Sequence, residues 1–243
     1  RPVCWRVRRE GHVVLLEGVR GKKQAPGEFR KIPNWIGPPG CTMEDAQYIP
    51  VSAEKLPEFM GRWETFVHEP YPDVLVQLAL MHAEFEALHP FLDGNGRLGR
   101  MMIPLYLWQR GLIQRPMFYV SAYFEAHRDQ YYDGLLAVSQ DDNWTGWCQF
   151  FLEAIRIQAE DNLKKAQAIL KLYEEMKNKL PQLTHSQFAI RALDWLFCQP
   201  IFNRSTFINS SEIPRPTAHR ILSVLEENNV LTVCLLYPSP SPR

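Results

Sequence analysis

Between two apolar stretches, FEAL at 85–88 and MMIPLYLW at 101–108, the chain reads HPFLDGNGRLGR, His89 to Arg100. Pro90 has no N–H and clashes with the turn before it, so no helix continues through it. Gly94, Gly96 and Gly99 follow closely, and each glycine costs roughly 1 kcal/mol in a helix interior. The stretch therefore predicts a sharp corner between two helices. The first spans 72–88, with Leu75, Leu78, Ala79, His82, Phe85 and Leu88 on one face. The second begins near Arg97 and ends at Gly111, where glycine stops it.

The same punctuation organises the rest. HVVLLEGVRG reads as the end of a helix closed by Gly18 and Gly21. Residues 22–40 are crowded with proline and glycine, and between them EFRKI and NWI are short enough to pair as a small β-hairpin. Helical patterns cover Ala53–His68, Tyr123–Ser139 and Asn143 to about Leu180, and Trp144, Trp147, Phe150 and Phe151 have the spacing of a core stripe. Pro181 marks a boundary. Beyond it three short helical patterns with a turn at SSEIPRP suit a helix-turn-helix whose last helix would turn Arg215, Thr217, His219 and Arg220 outward. The expected domains are 1–180, 181–233 and a disordered or non-native tail at 234–243, where CLLYPSPSPR changes character abruptly. Both ends read as cut from a longer frame.

Lys+Arg and Asp+Glu balance at 27 each, so no global charge points to nucleic acid or a membrane. Residues 1–40 are basic, with nine bases against three acids, which suits an acidic ligand or a solvated face. Residues 181–243 carry almost no net charge, so electrostatics does not support DNA binding there. The five cysteines are scattered and form no C-x-x-C pair, which favours a reducing compartment. No apolar run approaches the roughly 20 residues of a membrane span. The expected location is cytoplasmic.

The chemistry concentrates at the corner. The first N–H groups of a helix lack intrahelical partners and lie at the positive end of its dipole. Glycines beside them admit an anion closely, and phosphate oxygens suit best. Arg97 and Arg100 offer planar donors that match phosphate. Two bases at a helix start oppose its dipole, so their presence there needs an anion. Asp93 can serve magnesium alongside substrate phosphates or act as a helix N-cap. His89 is the group best able to accept a proton near neutral pH. No G-x-x-x-x-G-K-[ST] occurs to suggest a P-loop. His82 and His89 are seven apart, unlike the H-E-x-x-H spacing of a metal hydrolase.

HPFLDGNGRLGR resembles the Fic family signature, H-P-F-x-[DE]-G-N-G-R-x-x-R, at every fixed position. Similarity extends through EGVRG, GEFRKIPNWIG and YYDGLLAVSQDDNWTGW, roughly residues 11–165. The resemblance implies a mainly α fold: a Fic-type helical core with a β-hairpin flap, followed by a small helix-turn-helix (winged-helix-like) segment. It also implies transfer of AMP from ATP and Mg2+ onto a Ser, Thr or Tyr hydroxyl of a target protein. In that scheme His89 is the general base and Phe91 anchors the loop. Asp93 holds the metal. Gly94, Asn95, Gly96, Arg97 and Arg100 bind the phosphates, Ile36 on the flap docks the target, and Tyr131 and Tyr132 lie near the adenine. Related chemistries remain open: UMP, phosphocholine or phosphate transfer, or removal of AMP. So does a DNA-binding regulator with a nucleotide-sensing core. A homodimer is a further open partner. The family's inhibitory pattern, [ST]-x-x-x-E-[GN], fails at Val13 before Glu17. The resemblance therefore implies an inhibitory helix upstream or in another protein.

Overall fold

In the computed structural model, residues 5–16, 25–38 and 40–233 are described, the first five of them as backbone only. Ten helices follow one another among these residues: α1 Trp5–Leu16, α2 Leu56–His68, α3 Val74–Leu88, α4 Asn95–Gln109, α5 Ser121–Ala126, α6 Arg128–Asp141, α7 Trp144–Thr184, α8 Ala189–Cys198, α9 Arg204–Ser210 and α10 Arg215–Glu227. The fold is mainly α. No described helix is long and apolar enough to cross a membrane. Cys41, Cys148 and Cys198 are free thiols.

The chain divides into two compact units, 1–162 and 163–243. The division falls inside α7, upstream of Pro181. α7 runs on through Pro181 to Thr184 and ends at His185, a left-handed residue at φ 47°. Losing one N–H in the last turns costs little when Leu180 beside it is fully buried in its unit's core.

α3 is the axis of the first unit and packs against α2, α4 and α6. It begins at Asp73, whose carboxylate accepts from the N–H groups of Leu75 and Val76 at 2.8 and 3.0 Å. Those bonds satisfy two of the helix's otherwise unpaired donors. Asp73→Ala should therefore cost about 1 kcal/mol of stability, read as a lower thermal midpoint. Trp63 and Trp147, both buried, donate their indole N–H groups to the α3 carbonyls of Met81 and Ala79, each at 2.8 Å. Trp147 and Phe151 belong to the core, whereas Trp144 and Phe150 pack partly buried against it.

Three boundaries differ from the sequence pattern. α4 starts at Asn95 rather than Arg97, because Gly94 at φ 84° already turns the chain into the helix. The segment 121–141 is two helices, broken at His127 with φ −119° and ψ 42°. The expected pairing of EFRKI with NWI does not form among the described residues. Ile36 instead makes one isolated antiparallel bridge with Tyr48. Residues 29–32 leave that edge because the Arg30 side chain turns inward to the core, where only 3% of the residue is exposed.

The second unit is built on α8, α9, α10 and the end of α7, around Leu180, Leu193, Phe207, Ile221 and Leu225. Arg215, His219 and Arg220 face solvent and Thr217 is half-buried. Arg215 is tied to Asn209 at 3.0 Å and Arg220 to the Thr184 carbonyl at 2.7 Å. Arg191 bonds the Glu212 carbonyl and Arg204 pairs with Glu226. Residues 233 and below show no strand that would make a wing, and the expected tail at 234–243 lies outside the described residues.

Candidate active site

The corner between α3 and α4 carries the site. His89 caps α3 in the left-handed region, at φ 44° and ψ 59°. That geometry is unfavourable for a residue with a Cβ and persists only where surroundings impose it. Its Nδ1–H donates to the Glu86 carbonyl at 3.3 Å, which leaves Nε2 as an acceptor. Burial is the main force that lowers its pKa, to about 4; the nearby charge of Arg30 acts in the same direction, whereas Asp93 and the bond to Glu86 oppose it. The imidazole is therefore neutral at physiological pH.

Asn95 locks the loop. Its Oδ1 accepts from the N–H of Phe91 at 2.8 Å and its Nδ2 donates to the Phe91 carbonyl at 2.7 Å. With 2% exposure, its side chain is committed to the loop, and its backbone N–H is the group left at the helix start. Phe91, for which the motif implies an anchoring part, is 1% exposed. Its ring stacks on His12 of α1, with centroids 3.9 Å apart and planes 15° apart.

His12 was invisible as a site residue in the sequence. It is fully buried and uses both ring nitrogens: Nε2–H donates to the Asp93 carbonyl at 2.8 Å and Nδ1 accepts from the N–H of Gly27 at 2.8 Å. A Cβ on Gly94 would stand 3.4 Å from His12 Nε2 in a backbone at φ 84°, so glycine is required there. Asn34 was also missed. Its Nδ2 donates to the carbonyls of His89 and Phe91, each at 3.2 Å. Side chains that bond backbone carbonyls across the fold leave no spacing signal in a sequence.

The N–H groups of Asn95, Gly96 and Arg97 precede the first intrahelical bond, which Leu98 N–H donates to the Gly94 carbonyl at 2.9 Å. They lie at the positive end of α4 and suit an anion. Arg97 is half-exposed and 3.4 Å from Asp93, also half-exposed. Arg100 folds back over Gly96, where an added Cβ would meet its Nη1 at 3.1 Å. Behind it lies Glu86, with a side chain 10% exposed. Burial raises that carboxyl to about 7, against the pull of Arg100. Gly99 makes room for it. Tyr131 does not face an open adenine site: it is 4% exposed, and its hydroxyl shares a 2.9 Å hydrogen bond with His82 Nε2. His82 is wholly buried and held neutral, its pKa lowered to about 3 chiefly by burial, so it belongs to the core. Tyr132 is exposed, with the Arg128 guanidinium 5.7 Å from its ring centroid. Ile36 stands in the bridge to Tyr48.

Asp93 is the hard oxygen donor of the turn, and its Oδ1 accepts from Gly94 N–H at 2.6 Å. No cluster of three or more His, Cys, Asp or Glu able to hold a metal occurs among the described residues. A magnesium ion would fit here only by sharing Asp93 with substrate phosphates.

Residues 9–107, which contain α3, the loop and most of α4, match the Fic/DOC family model. Through this segment the chain is similar to the Fic/DOC family. Its similarity to a protein adenylyltransferase Fic of Drosophila willistoni is 30% identity over 104 residues, covering 42% of this chain and 18% of that protein. For the protein adenylyltransferase Fic of Culex quinquefasciatus the figures are 27% over 139 residues, 54% and 22%. A probable protein adenylyltransferase of Aquifex aeolicus is 44% identical over 41 residues, 17% of this chain and 13% of that protein. The matches thus span about a fifth or less of these relatives' length. A crystal structure of a Fic family protein from Desulfovibrio desulfuricans G20 shares the fold, with a TM-score of 0.61 and 20% identity over 85% of this chain and 59% of that one.

Proposed function

We propose that this Fic domain is a protein adenylyltransferase that moves AMP from ATP to a hydroxyl of a target protein. The observation that carries the reading is His89: a neutral imidazole, with Nδ1 committed to Glu86 and Nε2 open, beside a helix start that suits phosphate. The target hydroxyl oxygen attacks the α-phosphorus, and its proton passes to Nε2 of His89. The bond from the α-phosphorus to the bridging oxygen breaks, and pyrophosphate leaves. The N–H groups at the start of α4, with Arg97 and Arg100, stabilise the charge that develops on the phosphates. A magnesium ion shared with Asp93 would add a Lewis acid to that charge balance. Ile36, in the bridge with Tyr48, is the docking point for the target segment, and Tyr132 is the tyrosine available to the adenine.

The test is incubation with ATP labelled at the α-phosphorus, magnesium and candidate target proteins. Label should appear on protein and depend on His89. Label released only as free AMP, with none on protein, would refute group transfer. The pH profile is a second check. Because His89 titrates at about 4, transfer should persist through neutral pH and decline only as pH approaches that value. A decline centred on the ordinary imidazole value of 6.5 would mean that another group supplies the base.

A further inference from the structure

We propose that Arg30 is the positioning residue for the base: it holds His89 in its left-handed cap by gripping the end of α3. The inference rests on the reading of His89 as the base for AMP transfer. The last carbonyls of a helix have no intrahelical donor. At the end of α3, Arg30 supplies them. Its Nη2 donates to the Leu88 carbonyl at 3.4 Å, its Nε to the His89 carbonyl at 3.0 Å, and its backbone N–H to the Pro90 carbonyl at 2.9 Å. Three consecutive carbonyls thus point to one residue. The guanidinium also bonds the carbonyls of Val51 and, at 3.5 Å, Ile32.

Arg30 is 3% exposed, and among the described residues no carboxylate forms an ion pair with it. A buried charge with no counter-charge is expensive. Here the compensation comes from carbonyl dipoles, two of them at the negative end of α3. That is an unusual use of a cation for stability alone. It becomes intelligible because the carbonyls it orients belong to His89 and its neighbour. A planar fork reaches several carbonyls in fixed directions, whereas a lysine ammonium presents one point of charge. Asn34 reaches the same His89 carbonyl at 3.2 Å, yet it touches neither Leu88 nor Val51. The guanidinium charge also helps keep His89 neutral, in second place behind burial; Asp93 is the charged group that faces His89 with the opposite effect.

The experiment compares the full chain with Arg30→Met and Arg30→Lys, by AMP transfer kinetics and by titration of the His89 ring protons in NMR spectra. Arg30→Met should lower kcat by about 10²-fold, as expected for a misplaced reacting group. Its KM for ATP should stay within about threefold, because the phosphate contacts lie on α4. The titration midpoint of His89 should rise by about one unit with the charge gone. Arg30→Lys keeps the charge without the fork, so kcat should fall nearly as far while the midpoint stays close to the parent's. Should Arg30→Met fail to fold by circular dichroism, Arg30→Lys decides alone. Values of kcat within about threefold of the parent in the folded variants, or an effect confined to KM, would overturn the proposal. If the parent itself transfers no AMP, the functional reading fails first. Arg30 is then judged on the NMR data, where unchanged His89 resonances in both variants would sink it.

Discussion

His89→Ala is expected to slow AMP transfer by about 10²–10⁴-fold, the usual worth of a general base, with ATP affinity changed no more than a few-fold. The separation follows from how the corner is held. Arg30 and Asn34 bond the backbone carbonyl of residue 89, and Asn95 bonds the backbone of Phe91, so none of these depends on the imidazole. The N–H groups proposed to face phosphate belong to α4, beyond the loop. The side chain loses one bond, the 3.3 Å contact to the Glu86 carbonyl. His89→Asn is the companion variant, since asparagine tolerates φ near 44° better than alanine does. Isothermal titration with ATP and single-turnover transfer would measure the two quantities separately. Loss of ATP binding in both variants would show that the imidazole supports the loop and is not a base; undiminished transfer would remove it from the chemistry.

Gly99→Ala should destabilise the first unit by about 1–3 kcal/mol, the range for overpacked cores, and lower its thermal midpoint by roughly 2–4 °C for each of those kcal/mol. An added Cβ would lie 2.2 Å from Glu86 Oε1, 3.3 Å from Glu86 Cδ and 3.3 Å from His82 Cε1. Neither neighbour gives way without cost. His82 is wholly buried, and Oε1 of Glu86 has no hydrogen-bond partner to trade. Relief requires α3 and α4 to separate, or the carboxyl to turn toward Arg100 and the N-terminal end of α4. Gly61→Ala in α2 is the matched control. Nothing lies within 4 Å of the Cβ it would add, so it should stabilise by about 0.5–1 kcal/mol through helix propensity. Differential scanning calorimetry of the two variants measures the contrast. Equal midpoints would show that the helix crossing is looser than the Gly99 geometry requires.

The periodic parts of the molecule could be read directly. α3 alternates apolar residues at helical spacing up to Pro90, and the corner at 89–94 follows from proline and glycine chemistry alone. The signature at 89–100 was equally plain, since its residues are contiguous. What stayed hidden was the scaffold behind it. Arg30 and His89 are 59 residues apart, and each bond joins a side chain to a carbonyl, a pairing with no preferred spacing. Glu86 is a polar residue on α3, and only the crossing at Gly99 makes it buried. Tyr131, which the resemblance puts near the adenine, is turned inward, its ring centroid 5.8 Å from that of Trp147. The hairpin failed for a local reason: Pro33 separates its two arms, and Arg30 on the first arm is drawn into the core. α7 continues through Pro181 because burial of Leu180 outweighs one missing hydrogen bond.

The bond from His12 to the Asp93 carbonyl joins positions 81 residues apart. Closing a loop of that length loses chain entropy before any contact rewards it, and such closures come late in folding. The turn between α3 and α4 is therefore among the last parts of this domain to mature, and a short peptide carrying the twelve-residue signature would have no means of holding its shape.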